Sequence, residues 1–143
     1  MNETKRTNEF AIKGNLIHYS FIKSKRVIRS VLASKIYGMV GGVDMAIVIN
    51  IIIKMITGQL GFLYTLIIVY TNLYLLYKCL VKLSTTKEKR LIINIMALCQ
   101  LYKCREIIEI RWIDGKDNLA DAMTKSTPNK ALEKFVNFNQ LII

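Results

Sequence analysis

Between Lys54 and Lys78 the chain runs through residues 55–77 (MITGQLGFLYTLIIVYTNLYLLY) without one charged side chain. A helix of that length and composition crosses a bilayer, whereas the same run in a soluble domain has to be buried. Its texture keeps both outcomes open. Gly58 and Gly61 interrupt the first part, and residues 62–70 are rich in aromatic and β-branched side chains, which suit a pleated strand at least as well as a helix. A strand buried on both faces reads as a continuous apolar run, which residues 62–70 match.

The flanking segments carry clearer periodicities. Ahead of the run, Leu32, Ile36, Met39, Val40, Val43, Ala46 and Ile47 recur at three- and four-residue steps. That is the pattern of an amphipathic helix with Ser30 placed to cap it, weakened by Gly38, Gly41 and Gly42. After the run, the spacing of Thr85 to Glu88 matches a capping box, and Leu91, Ile92, Ile95, Met96, Cys99 and Tyr102 line one helical face. Residues 106–113 (EIIEIRWI) alternate as a half-buried strand, with Ile108, Ile110 and Trp112 on one side and Ile107, Glu109 and Arg111 on the other. Residues 15–21 (NLIHYSF) suit a short strand, and Asp117 and Asn118 can cap a short helix through Ala122. Strands separated by helices, with connections too long for hairpins, imply an α/β layered domain.

At 143 residues the chain is long enough to build a core without staples. Its net charge of +11 favours a polyanionic partner, either nucleic acid or an anionic membrane surface. Basic side chains concentrate at Lys23, Lys25, Arg26 and Arg29, and again at Lys82, Lys87, Lys89 and Arg90. A solvated charge run is the ordinary meaning of such clusters, and phosphate contact is the functional one. Cys79, Cys99 and Cys104 show neither paired metal spacing nor a disulfide framework and read as buried thiols in a reducing compartment. The polar first ten residues do not form a secretory signal, so an intracellular location, cytoplasmic or nuclear, is expected.

Four blocks carry a family resemblance: HYSFIKSKRVIRSVLASKIYGM at residues 18–39, LYKCLVKLSTTKEKRL at 76–91, EIRWIDGKDN at 109–118 and ADAMTK at 120–125. In order and spacing they resemble the ribonuclease H domain of fungal copia-type retrotransposon polyproteins. The Ala-Asp pair followed by Thr-Lys after a Trp-containing strand is the most specific of them. The resemblance implies a ribonuclease H-like mixed β-sheet flanked by helices over residues 15–128. A polar segment at 1–14, a strand remnant, would precede it and a C-terminal extension at 129–143 would follow. Active relatives cleave the RNA strand of RNA–DNA hybrids with two Mg²⁺ or Mn²⁺ ions held by acidic residues.

Two adjacent hard cations need several anionic oxygens to offset their repulsion. Carried over one at a time, the acidic positions of the family are mostly lost. The first, on the opening strand, is expected to lie ahead of Met1. The second falls on Lys35 in Ser34-Lys35-Ile36-Tyr37, where an ammonium replaces a carboxylate. The third, at the end of the central strand, falls on Asn72, which keeps an oxygen and loses the charge. The fourth falls on Asp121 and is kept. An acid in a first helical turn also has the ordinary role of stabilising the positive end of the helix dipole. Asn72 has an ordinary role too, capping the turn after its strand. Leu119 stands where relatives often have Pro, and Leu73, Tyr74 and Leu75 replace polar residues.

The expectation is therefore a degenerate domain without ribonuclease activity, without a bound metal or other cofactor and without a small-molecule substrate. Weak, sequence-independent affinity for RNA–DNA hybrid or other nucleic acid through Lys23, Lys25, Arg26 and Arg29 is what the resemblance leaves. The rival is a small basic membrane protein anchored by residues 55–77, with Lys54 and Lys78 at the interfaces. His18, the only histidine, is expected on a strand in a structural role, and Trp112 in core packing.

Overall fold

The computed structural model describes residues 10–21, 30–62, 65–82 and 86–143. The basic cluster Lys23, Lys25, Arg26 and Arg29 and the expected cap Thr85 lie outside them. The chain is a mixed helix-and-strand protein of the general α/β class, divided into two compact units: residues 24–112, and residues 1–23 with 113–143.

The unit of residues 24–112 opens with helix α1 (Val31–Gln59). Ser30 Oγ accepts from Ala33 N at 3.1 Å, as the sequence predicts for the cap. The helix runs through Gly38, Gly41 and Gly42 and continues past Ile47, because residues 43–57 contain neither glycine nor proline. It stops at Gly61, whose φ of 73° is the left-handed conformation. There Gly61 N donates to Gly58 O and Phe62 N to Thr57 O, the paired bonds of a Schellman ending.

That ending breaks the uncharged run. Residues 55–77 are not one helix but the end of α1, a turn, the strand β1 (Ile67–Thr71) and the start of helix α2 (Tyr74–Val81). Strand β1 pairs in parallel with β2 (Ile107–Trp112), and helix α3 (Ile92–Lys103) lies between them in sequence. The strand that residues 62–70 match is present, shifted toward the C-terminus.

Two sequence readings in this unit are corrected. Ile67 pairs with Ile107 but Ile68 pairs with Glu109, so Ile108 is the extra residue of a bulge. The alternation expected along residues 106–113 is thereby broken: Ile107 and Ile110 are buried, while Trp112 is 45% exposed rather than in the core. Leu91 just ahead of helix α3 and Ile95 and Leu98 within it are buried, whereas Ile92 and Met96, expected on the inner face, are exposed. A short 3-10 turn at Lys89–Leu91 leads into the helix, and Glu88 accepts from Ser30 Oγ at 3.1 Å. Ile36, Leu76, Cys79, Leu80, Leu98 and Ile107 form the centre of the core, each nearly inaccessible.

The second unit contains β3 (Ala11–Lys13) and β4 (Gln140–Ile142), paired antiparallel, with helix α4 (Ala131–Phe138) packed on them through Ala131, Phe135 and Leu141. Residues 15–21, expected as a strand, form none. Gly14, at φ 150°, ends the ladder by donating to Asn139 O at 3.0 Å, and Ile17, His18, Tyr19 and Phe21 are exposed beyond it. Asn129 braces the start of α4: its Nδ2 donates to Gly115 O at 2.8 Å and Asn118 O at 3.0 Å.

Candidate functional site

Two of the expected acidic positions come together. Lys35 sits on the second turn of α1, on the same side as buried Ile36 and Leu32, and Asn72 follows the last residue of β1. Lys35 Nζ donates to Asn72 Oδ1 at 3.2 Å in a half-buried setting. The geometry follows from the fold: Ser30 fixes where α1 begins, and the pairing of Thr71 with Trp112 fixes where β1 ends.

Thr71, itself buried, accepts from Leu73 N at 3.2 Å through Oγ1, so its hydroxyl caps the turn after β1 beside Asn72. Trp112 Nε1 donates to Asn72 O at 3.2 Å. The Trp112 indole meets Tyr74 edge-on at 6.1 Å, Tyr74 stacks on Tyr77, and Lys78 Nζ lies 4.7 Å from the Tyr74 ring centre. Trp112 thus braces the strand end instead of filling the core.

Electrostatically the surroundings of Asn72 are cationic. Lys35 is bonded to it, Lys78 rests on the adjoining ring, and Arg111 on β2 is engaged by Glu109. Donation to the Glu109 carboxylate pushes the Arg111 guanidinium further up from its ordinary value. A divalent ion here would meet an ammonium already donating to the one side-chain oxygen. The residues present do not fit a two-metal centre, because magnesium surrenders its water shell only to well-placed anionic oxygens. Among the described residues, no group of three His, Cys, Asp or Glu side chains converges.

Asp121, the retained acid, lies in the other unit, on the 3-10 helix Leu119–Met123. The expected cap is present: Asn118 Oδ1 accepts from Ala120 N at 3.1 Å, although the turn is a 3-10 helix and not an α-helix. Asp121 is only 2% exposed, and its Oδ2 receives Lys125 Nζ at 2.8 Å while Asn118 Nδ2 approaches Oδ1 at 3.4 Å. The ADAMTK block is therefore also an i,i+4 ion pair, a spacing visible in the sequence that the metal-ligand reading passed over.

Of the two basic clusters, Lys82, Lys87, Lys89 and Arg90 are described, and all four are exposed. An open cleft of about 710 Å³ in the second unit is lined by Lys116, Lys130, Lys134 and Phe138 among others and contains none of the expected site residues. The three thiols differ: Cys79 is buried, Cys99 half-buried and Cys104 exposed, which corrects the reading of all three as buried. Burial pushes the Cys99 thiol up from its ordinary value; nearby Lys103 opposes that shift and Cys79 adds to it. No family model, no curated protein and no solved structure matches this chain.

Proposed function

We propose that this chain is a catalytically inactive ribonuclease H-like domain of copia-type retrotransposon ancestry that keeps weak, sequence-independent affinity for nucleic acid. The observation that carries the reading is the bond from Lys35 Nζ to Asn72 Oδ1. The resemblance makes these two positions metal-binding carboxylates of one site, and two residues 37 apart in sequence do lie in contact. Their chemistry is inverted. A cation and a neutral amide satisfy each other where two anions would have shared a metal, which removes the electrostatic basis of hydrolysis.

A parallel strand pair with α1 and α3 packed against it, and Asn72 directly after β1, supports the reading at the level of a general α/β arrangement. The exposed Lys82, Lys87, Lys89 and Arg90 supply a phosphate-contacting surface in the described part of the chain. Such a protein acts in the cytoplasm or nucleus.

The test is incubation of the purified chain with a labelled RNA–DNA hybrid and Mg²⁺ or Mn²⁺. The expected result is no cleavage above buffer, with hybrid binding that weakens steeply as salt rises, because phosphate contacts release counterions. Metal-dependent cutting overturns the proposal.

A membrane anchor is the second reading, and the observation favouring it is now α1 instead of residues 55–77. Val31–Gln59 is long enough, and its most apolar 18-residue window, with a mean hydropathy of 2.0, is apolar enough, to cross a bilayer by length and composition. Only 17% of that window is buried, and the burial α1 does have lies toward its start, at Leu32, Ala33, Ile36 and Val43. Extraction of cell membranes with alkaline carbonate separates the readings: release of the chain supports the domain, and retention supports the anchor.

A further inference from the structure

The outer face of α1 carries a regular seam. Val31, Ser34, Gly38, Gly41, Met45, Val48, Ile52, Met55 and Gln59 follow one another at alternating steps of three and four, and every one of them is exposed. This is the a/d spacing of a coiled coil, it contains no charged residue, and it lies opposite the residues α1 buries in its own core. Gly38 and Gly41 have ordinary helical backbones, and a Cβ at either would meet nothing within 4 Å, so neither glycine serves packing within the chain.

We propose that this face binds a second copy of the same chain, with the two α1 helices antiparallel about a two-fold axis near Asn50. The sequence accommodates that register. It sets Met45 against Met55 of the second copy and Val48 against Ile52, so each contact occurs twice and all are apolar. Ile51 meets its own counterpart beside the axis. Asp44, the acidic residue of α1, falls beside Gly58 of the other copy and faces no like charge.

The exposed apolar area of this face is of the size a dimer needs. Met45, Val48, Ile51, Ile52, Met55 and Ile56 are 45% to 66% exposed. Together they offer roughly 500–600 Å² per copy, which with a polar rim approaches the ~800 Å² per partner of specific interfaces.

Sedimentation equilibrium of the full chain between about 1 and 100 µM decides the matter. The expected mass rises with concentration to twice 16.5 kDa, and the double variant Val48→Glu/Ile52→Glu, with an unchanged circular dichroism spectrum, stays at the single-chain mass throughout. A wild-type chain that remains single at 100 µM, or assembles beyond two, overturns the proposal, as does a variant that still pairs. Should the variant fail to fold, disulfide trapping in a Cys104→Ser background replaces it. An equimolar mixture of Met45→Cys and Met55→Cys chains should cross-link, and either alone should not. Cross-linking of Met45→Cys by itself indicates a parallel pair and refutes the register. A single chain that floats with phosphatidylcholine vesicles assigns the face to lipid and refutes the dimer.

Discussion

Replacing Lys35 with Met keeps the aliphatic stem of the side chain and removes the ammonium that donates to Asn72 Oδ1 at 3.2 Å. A hydrogen bond to a charged group contributes about 1.5–3 kcal/mol when well sequestered. This one is half-buried, so solvent screening brings it toward about 1 kcal/mol. Lys35 and Asn72 have other interactions as well, and either single substitution therefore mixes several losses. The coupling energy from Lys35→Met, Asn72→Ala and the double variant isolates the bond. Urea denaturation is the assay: at a slope of roughly 2 kcal/mol per molar, 1 kcal/mol moves the midpoint by about 0.5 M. The coupling should lie near 1 kcal/mol. A value below about 0.3 kcal/mol would mean that the two side chains are energetically independent, and the account of the site as an inverted acidic pair would fail.

Other perturbations test separate parts of the structure. Asp121→Ala removes a 2% exposed carboxylate but leaves Lys125, whose side chain is 55% exposed and rehydrates. The cost should be about 1–2 kcal/mol by urea denaturation, below the 3–5 kcal/mol of stranding a buried charge. Arg105 ends α3 at φ 63°, with Glu106 N donating to Leu101 O at 3.0 Å. Arg105→Gly should relieve that left-handed strain and raise the stability by about 0.5–1 kcal/mol, and a fall would contradict the assigned ending. Cys104 should react first with a thiol reagent at pH 8 and Cys79 only on unfolding, with Cys99 between them, as read by mass spectrometry. Because burial raises the folded pKa of Cys99, its contribution to stability is complete below the unfolded value and is lost as pH rises through the folded one. Wild type should therefore lose more stability in that alkaline window than Cys99→Ala does.

What the sequence makes legible is set by which forces are local. Ser30, the periodic apolar face after it and Gly61 mark the ends of α1 by capping and left-handed geometry, both encoded within a few residues. The β-branched run around β1 outweighs its hydropathy for the same reason. The bulge at Ile108 is not local. It arises from the pairing of β2 with β1 and reverses which residues are buried, so alternation alone misplaces Trp112. The strands β3 and β4, three residues each, leave no periodic signal, and their pairing joins opposite ends of the chain. As for the site, nothing in the pattern around Lys35 or Asn72 links them. Only the resemblance set both at one centre, and it was silent on Thr71, whose hydroxyl caps the turn after β1 beside Asn72.

The central claim is that Lys35 and Asn72 occupy positions built for carboxylates. Restoring them in Lys35→Glu/Asn72→Asp puts two anionic groups where a 3.2 Å hydrogen bond now stands. Mn²⁺ titration followed by electron paramagnetic resonance compares that variant with wild type. The account predicts that the variant takes up Mn²⁺ at least tenfold more tightly than the wild-type chain. Equal affinity in the two folded proteins would contradict it.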